Sequence, residues 1–83
     1  MNLNIRYFAS IREALGPSQQ VEVAAGTTLG ALRDHLIASS AAHAAALERG
    51  CALRCAVNQT ICAESAVIPD GAEVAFFPPV TGG

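Results

Sequence analysis

The chain has 83 residues, 52% of them apolar and only 14% charged, with a formal net charge of −2. A single domain of this size buries only roughly 60% of the surface it exposes when unfolded, which leaves little room for an internal active site and points to a face or an edge. The five basic residues (Arg6, Arg12, Arg33, Arg49, Arg54) form no run or stripe of the kind nucleic acid requires, no stretch nears the roughly 18 apolar residues of a membrane span, and no signal segment precedes the first strand pattern, so a cytoplasmic protein is expected.

Leu3, Ile5 and Tyr7 alternate with Asn2, Asn4 and Arg6, which predicts a strand with one face on a core and Phe8 on the other face. Ser10 to Leu15 is long enough for a turn of helix ended by Gly16-Pro17, and Gln20 to Val23 resumes the alternation before Gly26 breaks it. Thr27 and Thr28 are N-cap candidates for a helix whose Leu29, Leu32, Leu36 and Ile37 form an apolar stripe, with Arg33 and Asp34 assigned to its other side. Gly30 costs such a helix up to about 1 kcal/mol. Ser40 can cap a second, alanine-rich helix, with Gly50 as its closing C′ residue.

Period two returns at Leu53, Cys55 and Val57, followed by a turn at Asn58-Gln59-Thr60 and a short return strand at Ile61-Cys62. Pro69-Asp70-Gly71 marks a further turn. The last strand runs from Ala72 to Phe77, with Val74 and Phe76 on one face and Glu73, Ala75 and Phe77 on the other, until Pro78 removes an N–H from the ladder. One main amphipathic helix across a mixed sheet of four or five strands, with the first and last strands as central neighbours, buries all these faces. That is an α+β fold of the β-grasp type, occupying residues 1–77 and followed by an extended tail at 78–83.

Cys51, Cys55 and Cys62 are odd in number and contain no CxxC, and neither His35 nor His43 completes a zinc set, so no metal site is expected. Buried or half-buried thiols are the simplest reading. A persulfide-carrying cysteine is the sharper one, with only Arg54 nearby to lower a thiol pKa.

The ending FFPPVTGG has a chemistry of its own. Pro78 and Pro79 favour an extended backbone, and six residues from Pro78 to Gly83 span about 20 Å when stretched. Gly82 and Gly83 lack a Cβ and suit a narrow tunnel. A terminal carboxylate is inert until another protein adenylates it, after which a sulfur or nitrogen nucleophile can displace AMP. Taken alone, a Gly-Gly end is more often a frayed end than a reactive one.

AVNQT at Ala56 to Thr60, DGAEVAFFPPVTGG from Asp70 to Gly83, and FASIRE at Phe8 to Glu13 resemble the small subunits of molybdopterin synthase, a family of ubiquitin-like sulfur carriers. The resemblance covers most of the chain and is strongest in its last third. It implies that an activating enzyme adenylates Gly83 with ATP and that a sulfur donor, such as a cysteine desulfurase or rhodanese-like protein, converts it to a thiocarboxylate. The tail would then enter the large catalytic subunit of a heterotetramer and give sulfur to cyclic pyranopterin monophosphate, making the dithiolene of molybdopterin. The chain would be no enzyme by itself and would hold no permanent cofactor. Gly82 would be the residue that must be narrow. From strand parity rather than from the resemblance, Phe8 and Phe77 fall on the sheet face away from the core and, extended by Ile61, would form an exposed docking patch continued by Pro78, Pro79, Val80 and Thr81, unless the aromatics instead cap a small cluster under the 10–20 connection. Two other readings stay open: a sulfur carrier of the thiamine pathway, and a protein modifier joined to lysines through Gly83. The chain has no lysine, which weakly disfavours a modifier that builds chains on itself.

Overall fold

Alternation and capping translate into eight elements in the computed structural model, which describes residues 1–79. They are β1 (Asn2–Tyr7), α1 (Ala9–Leu15), β2 (Ser18–Glu22), α2 (Leu29–Ser39), α3 (Ala41–Leu47), β3 (Arg54–Val57), β4 (Thr60–Cys62) and β5 (Glu73–Phe77). The strands form one sheet in the order β2-β1-β5-β3-β4, with β1 and β5 parallel at its centre and the other pairs antiparallel. This is the expected β-grasp arrangement, with five strands, the main helix α2, and the short helices expected before Gly16-Pro17 and after Ser40. The proposed tail begins at Pro78, and its residues 80–83 lie outside the described residues.

The inward positions of each strand meet the helices on one face. Leu3, Ile5 and Tyr7 of β1, Val74 and Phe76 of β5, and Cys55 and Val57 of β3 pack with Ile11 of α1, Leu29, Leu32 and Leu36 of α2, and Leu47 of α3. Tyr7 and Phe76, paired in register, stack with ring centroids 6.4 Å apart. The Tyr7 hydroxyl donates to Gln19 Oε1 at 2.7 Å, and His43 Nε2 reaches the same oxygen at 2.7 Å, tying α3 to β2. At the far end of β1 the Met1 ammonium donates to Val23 O at 2.7 Å.

The caps form as expected. Thr28 accepts from Ala31 N at 3.2 Å, and Ser40 accepts from His43 N at 3.0 Å. Gly30 has a packing reason: a Cβ there would stand 3.4 Å from the carbonyl oxygen of Glu64, which already accepts from Gly30 N at 2.8 Å. The hairpin turn needs only two residues, Asn58 (φ 48) and Gln59 (φ 71), both left-handed as a type I′ turn demands. The second strand starts two residues earlier than its alternation predicts, at Ser18.

Two expectations fail together. Arg33 is not on the polar side of α2 but is 3% exposed, because position 33 follows Leu29 by four and precedes Leu36 by three, inside the apolar stripe. Gly50 does not close α3, which ends at Leu47 with Glu48 in an ordinary negative-φ conformation. The reason is shared. Arg33 Nε donates to Leu47 O at 2.7 Å, and its Nη2 donates to Glu48 O at 2.5 Å and Cys51 O at 3.1 Å, so a side chain satisfies the carbonyls that a glycine turn would otherwise serve. The remaining nitrogen, Nη1, meets Glu64 Oε2 at 2.7 Å, and Glu64 also binds Arg49, whose Nε donates to Asp34 at 2.9 Å.

Arg33 thus holds α2, the end of α3 and the β4–β5 connection together. Its replacement by Met should lower unfolding free energy by about 3 kcal/mol in urea titrations, because three carbonyls lose their partner at once and Glu64 is left with Arg49 alone. Partial burial pushes the Glu64 carboxyl up, but hydrogen bonds from Arg33 and Arg49 outweigh it and hold the group below its ordinary value. A depressed carboxylate contributes stability that is complete above its unfolded pKa and is lost as pH falls through the folded one. Unfolding midpoints should therefore drop below the ordinary carboxylate range, and Glu64→Gln should flatten that acid limb.

Candidate docking surface and tail exit

On the sheet face opposite the helices, Arg6, Ala75, Ala56 and Ile61 are direct neighbours across β1, β5, β3 and β4. Two alanines at the middle of this row leave a depression, and larger side chains stand around it. The result is an open, mostly apolar trough of about 600 Å³ lined by Phe8, Ala56, Ile61, Ala75, Phe77 and Pro78, with Arg6, Gln59 and Glu73 on its polar margin. Phe8 is 39% exposed and Ile61 65%, among the few large apolar side chains left in solvent. An open apolar patch of this kind is what an interface core looks like before its partner arrives.

The local chain explains each position. Phe8 N donates to Phe76 O at 3.3 Å, so the backbone stays on the sheet for one residue beyond β1. Ala9 then takes φ 53 and turns the chain, sending Ile11 of α1 into the core on the helix side. Phe8 is left on the open face, and the alternative that the aromatics cap a cluster under the 10–20 connection does not hold. Arg6 lies over the Phe8 ring at 5.7 Å and faces Glu73 at 3.9 Å, with both charged groups partly in solvent.

Phe77 makes the last pairing of β5, opposite Arg54, and Pro78 carries no N–H to continue it. The chain therefore leaves the sheet at one end of the trough, with Pro78 and Pro79 half-buried there. Val80, Thr81, Gly82 and Gly83 lie outside the described residues. Phe8, Ile61, Phe77 and Pro78 are brought together as the sequence suggests, while Ala56, Ala75, Arg6, Gln59 and Glu73 are additions. Pro79 is near but does not line the trough. Finding the alanine floor requires knowing which residues of β3 and β5 face one another.

Among the described residues, the titratable groups that line this surface are Arg6 and Glu73. His35 is exposed on α2, and His43 is engaged by Ser40 and Gln19 on the helix side. Among the described residues no three His, Cys, Asp or Glu side chains are grouped to hold a metal, and no helix is long and apolar enough to cross a membrane.

Comparison with known proteins agrees with this geometry. The chain is 49% identical over 82 residues to the molybdopterin synthase sulfur carrier subunit of Escherichia coli strain K12, covering 98% of this chain and 99% of that protein. It is 40% identical over 85 residues to the protein of the same name from Mycobacterium tuberculosis, covering 100% and 99% respectively. Among solved structures, small archaeal modifier protein 1 of Haloferax volcanii superposes with a TM-score of 0.76 at 27% identity, over 95% of this chain and 98% of that one. The ThiS family matches residues 5–83, so the trough and everything after it fall within the shared region, and the chain belongs to the ThiS family.

Proposed function

We propose that this chain is the sulfur-carrier subunit of a molybdopterin synthase, and that Gly83 carries the sulfur. The observation that carries the reading is continuity: β5, which supplies Ala75 and Phe77 to the trough, runs directly into 78–83, in a chain that matches the named carriers over nearly all its length. A partner seated on the trough would meet Pro78, the first residue of that segment.

In this reading an activating enzyme binds the trough and adenylates the Gly83 carboxylate with ATP, releasing pyrophosphate. The terminal sulfur of a donor persulfide displaces AMP to form an acyl disulfide, and a second thiol then attacks the donor's sulfur, releasing the thiocarboxylate and leaving a disulfide on the donor side. The carrier then passes to the large subunit, where Gly82 and Gly83 enter the active site and the sulfur is transferred to cyclic pyranopterin monophosphate, two carriers in succession completing the dithiolene. The absence of acid–base machinery at the trough supports this division of labour, in which the large subunit supplies the catalytic groups. The handover takes place in the cytoplasm, where ATP and the sulfur donor are available.

A second reading has a specific observation behind it, since the archaeal relative in structure is named a modifier protein. The two readings share activation at Gly83 and differ in the acceptor, sulfur or a lysine amine of a target. Intact mass after incubation with ATP, activating enzyme and a sulfur source separates them. One oxygen replaced by sulfur, absent when Gly83 is deleted, supports the carrier; an unchanged mass beside lysine-linked conjugates supports the modifier.

The docking role has its own tests. Phe77→Ala should leave the fold intact and weaken binding to the large subunit or activating enzyme about tenfold or more, as truncation of a central interface aromatic does. Unchanged affinity in calorimetry would count against the patch. Ala75→Leu fills the floor of the trough without touching the core face. It should leave the urea midpoint nearly unchanged and impair binding at least as strongly.

A further inference from the structure

The cysteines, which the sulfur-carrier reading leaves unused, are not equivalent. Cys55 on β3 and Cys62 on β4 are directly opposed in the antiparallel register, so their side chains leave the sheet on the same face. The two-residue Asn58-Gln59 turn makes Val57 and Thr60 a hydrogen-bonded pair, and two steps along the ladder Cys55 and Cys62 are again one. Such pairs have a Cα separation of about 5.5 Å, within the window of about 4.4–6.8 Å that a disulfide can bridge. Both are free thiols, Cys55 buried and Cys62 half-buried against the core, with the Cys62 thiol donating to Thr60 O at 3.2 Å. Burial first and the Glu64 carboxylate second push the Cys55 thiol up to about 11, with Arg33 and Arg49 pulling the other way. Cys51 precedes β3 and lies on the α1–α3 side, beside Ile11 and Ala46.

We propose that Cys55 and Cys62 form a reversible intramolecular disulfide by exchange with low-molecular-weight disulfides. Cys62, the more accessible thiol, loses its proton and attacks one sulfur of glutathione disulfide, forming a mixed disulfide and expelling a glutathione thiolate. Cys55, in turn deprotonated, attacks the Cys62 sulfur and expels the second thiolate. Two protein thiols are oxidised, one glutathione disulfide is reduced to two glutathiones, and the two protons end on them. The pair lies on the helix side of the sheet, away from the trough, so a partner docked there does not cover it. The bond staples the β3–β4 hairpin whose outward residue, Ile61, stands at the trough margin, and it gives the protein a thiol pair responsive to the redox state of its surroundings.

The chain's own cleavage pattern makes the test clean. Trypsin has no site after Arg54, so Cys51 falls in the peptide 50–54 and both Cys55 and Cys62 fall in 55–83. The full chain is incubated with glutathione disulfide, quenched in acid, alkylated with N-ethylmaleimide, digested and weighed. The expected result is one alkyl group on Cys51, none on 55–83, and a loss of two hydrogens from that peptide, reversed by dithiothreitol. Cys51→Ser should retain the loss; Cys55→Ser and Cys62→Ser should abolish it while remaining folded by circular dichroism. Alkylation of both thiols in 55–83, a lasting glutathione adduct on Cys62, or a bond involving Cys51 would each overturn the proposal. None of these outcomes bears on the chemistry at Gly83, which the mass of the thiocarboxylate reads separately.

Discussion

A parallel pair of strands cannot be joined by a tight turn, and β1 and β5 are parallel at the centre of this sheet. The chain must leave the end of β1, travel the length of the domain, and re-enter at the start of β5. Much else in the fold follows from that constraint. The helices that make the return crossing collect on one face, where they bury Tyr7, Phe76 and Val74, and the other face is left without a cover. Because the two central strands run the same way, the residue after β1 and the last residue of β5 arrive side by side. That brings Phe8 and Phe77 to one surface, with the exit of the chain beside them.

The crossing also needs a fastener, and it is an ion rather than a hydrocarbon. Arg33 enters the core from α2 and uses its fork of donors on the carbonyls of Leu47, Glu48 and Cys51 and on Glu64. Segments far apart in the chain converge on one planar group, which is the kind of task guanidinium geometry suits better than an ammonium. The stability of such a centre is conditional on every partner being present. The described chain satisfies it: none of its buried side-chain polar atoms lacks a hydrogen bond.

Local chemistry made much of this legible in advance. Alternation in β1 and β5 gave the right faces, Thr28 and Ser40 capped the helices they were expected to cap, and Pro78 ended β5. Arg33 departs from the face its charge suggests because the helical stripe passes through residue 33, and the sequence holds no local sign that the Leu47 and Glu48 carbonyls wait there. Gly50 is not needed as a cap because the end of α3 is served by that same side chain from another helix. At the trough, the large residues Phe8, Ile61 and Phe77 could be placed by their parity alone. Ala56 and Ala75 could not, because a floor is made by small residues meeting across strands, and that meeting is a matter of register.

The direction of β1 has a practical side. Met1 lies at the opposite end of the parallel pair from Phe8 and Phe77, its ammonium held against Val23 O. The 83 residues contain no lysine, so no side-chain amine stands on or around the trough. Amine-reactive dyes and biotin esters therefore spare every side chain of that surface, and a binding assay built on amine coupling leaves it chemically intact.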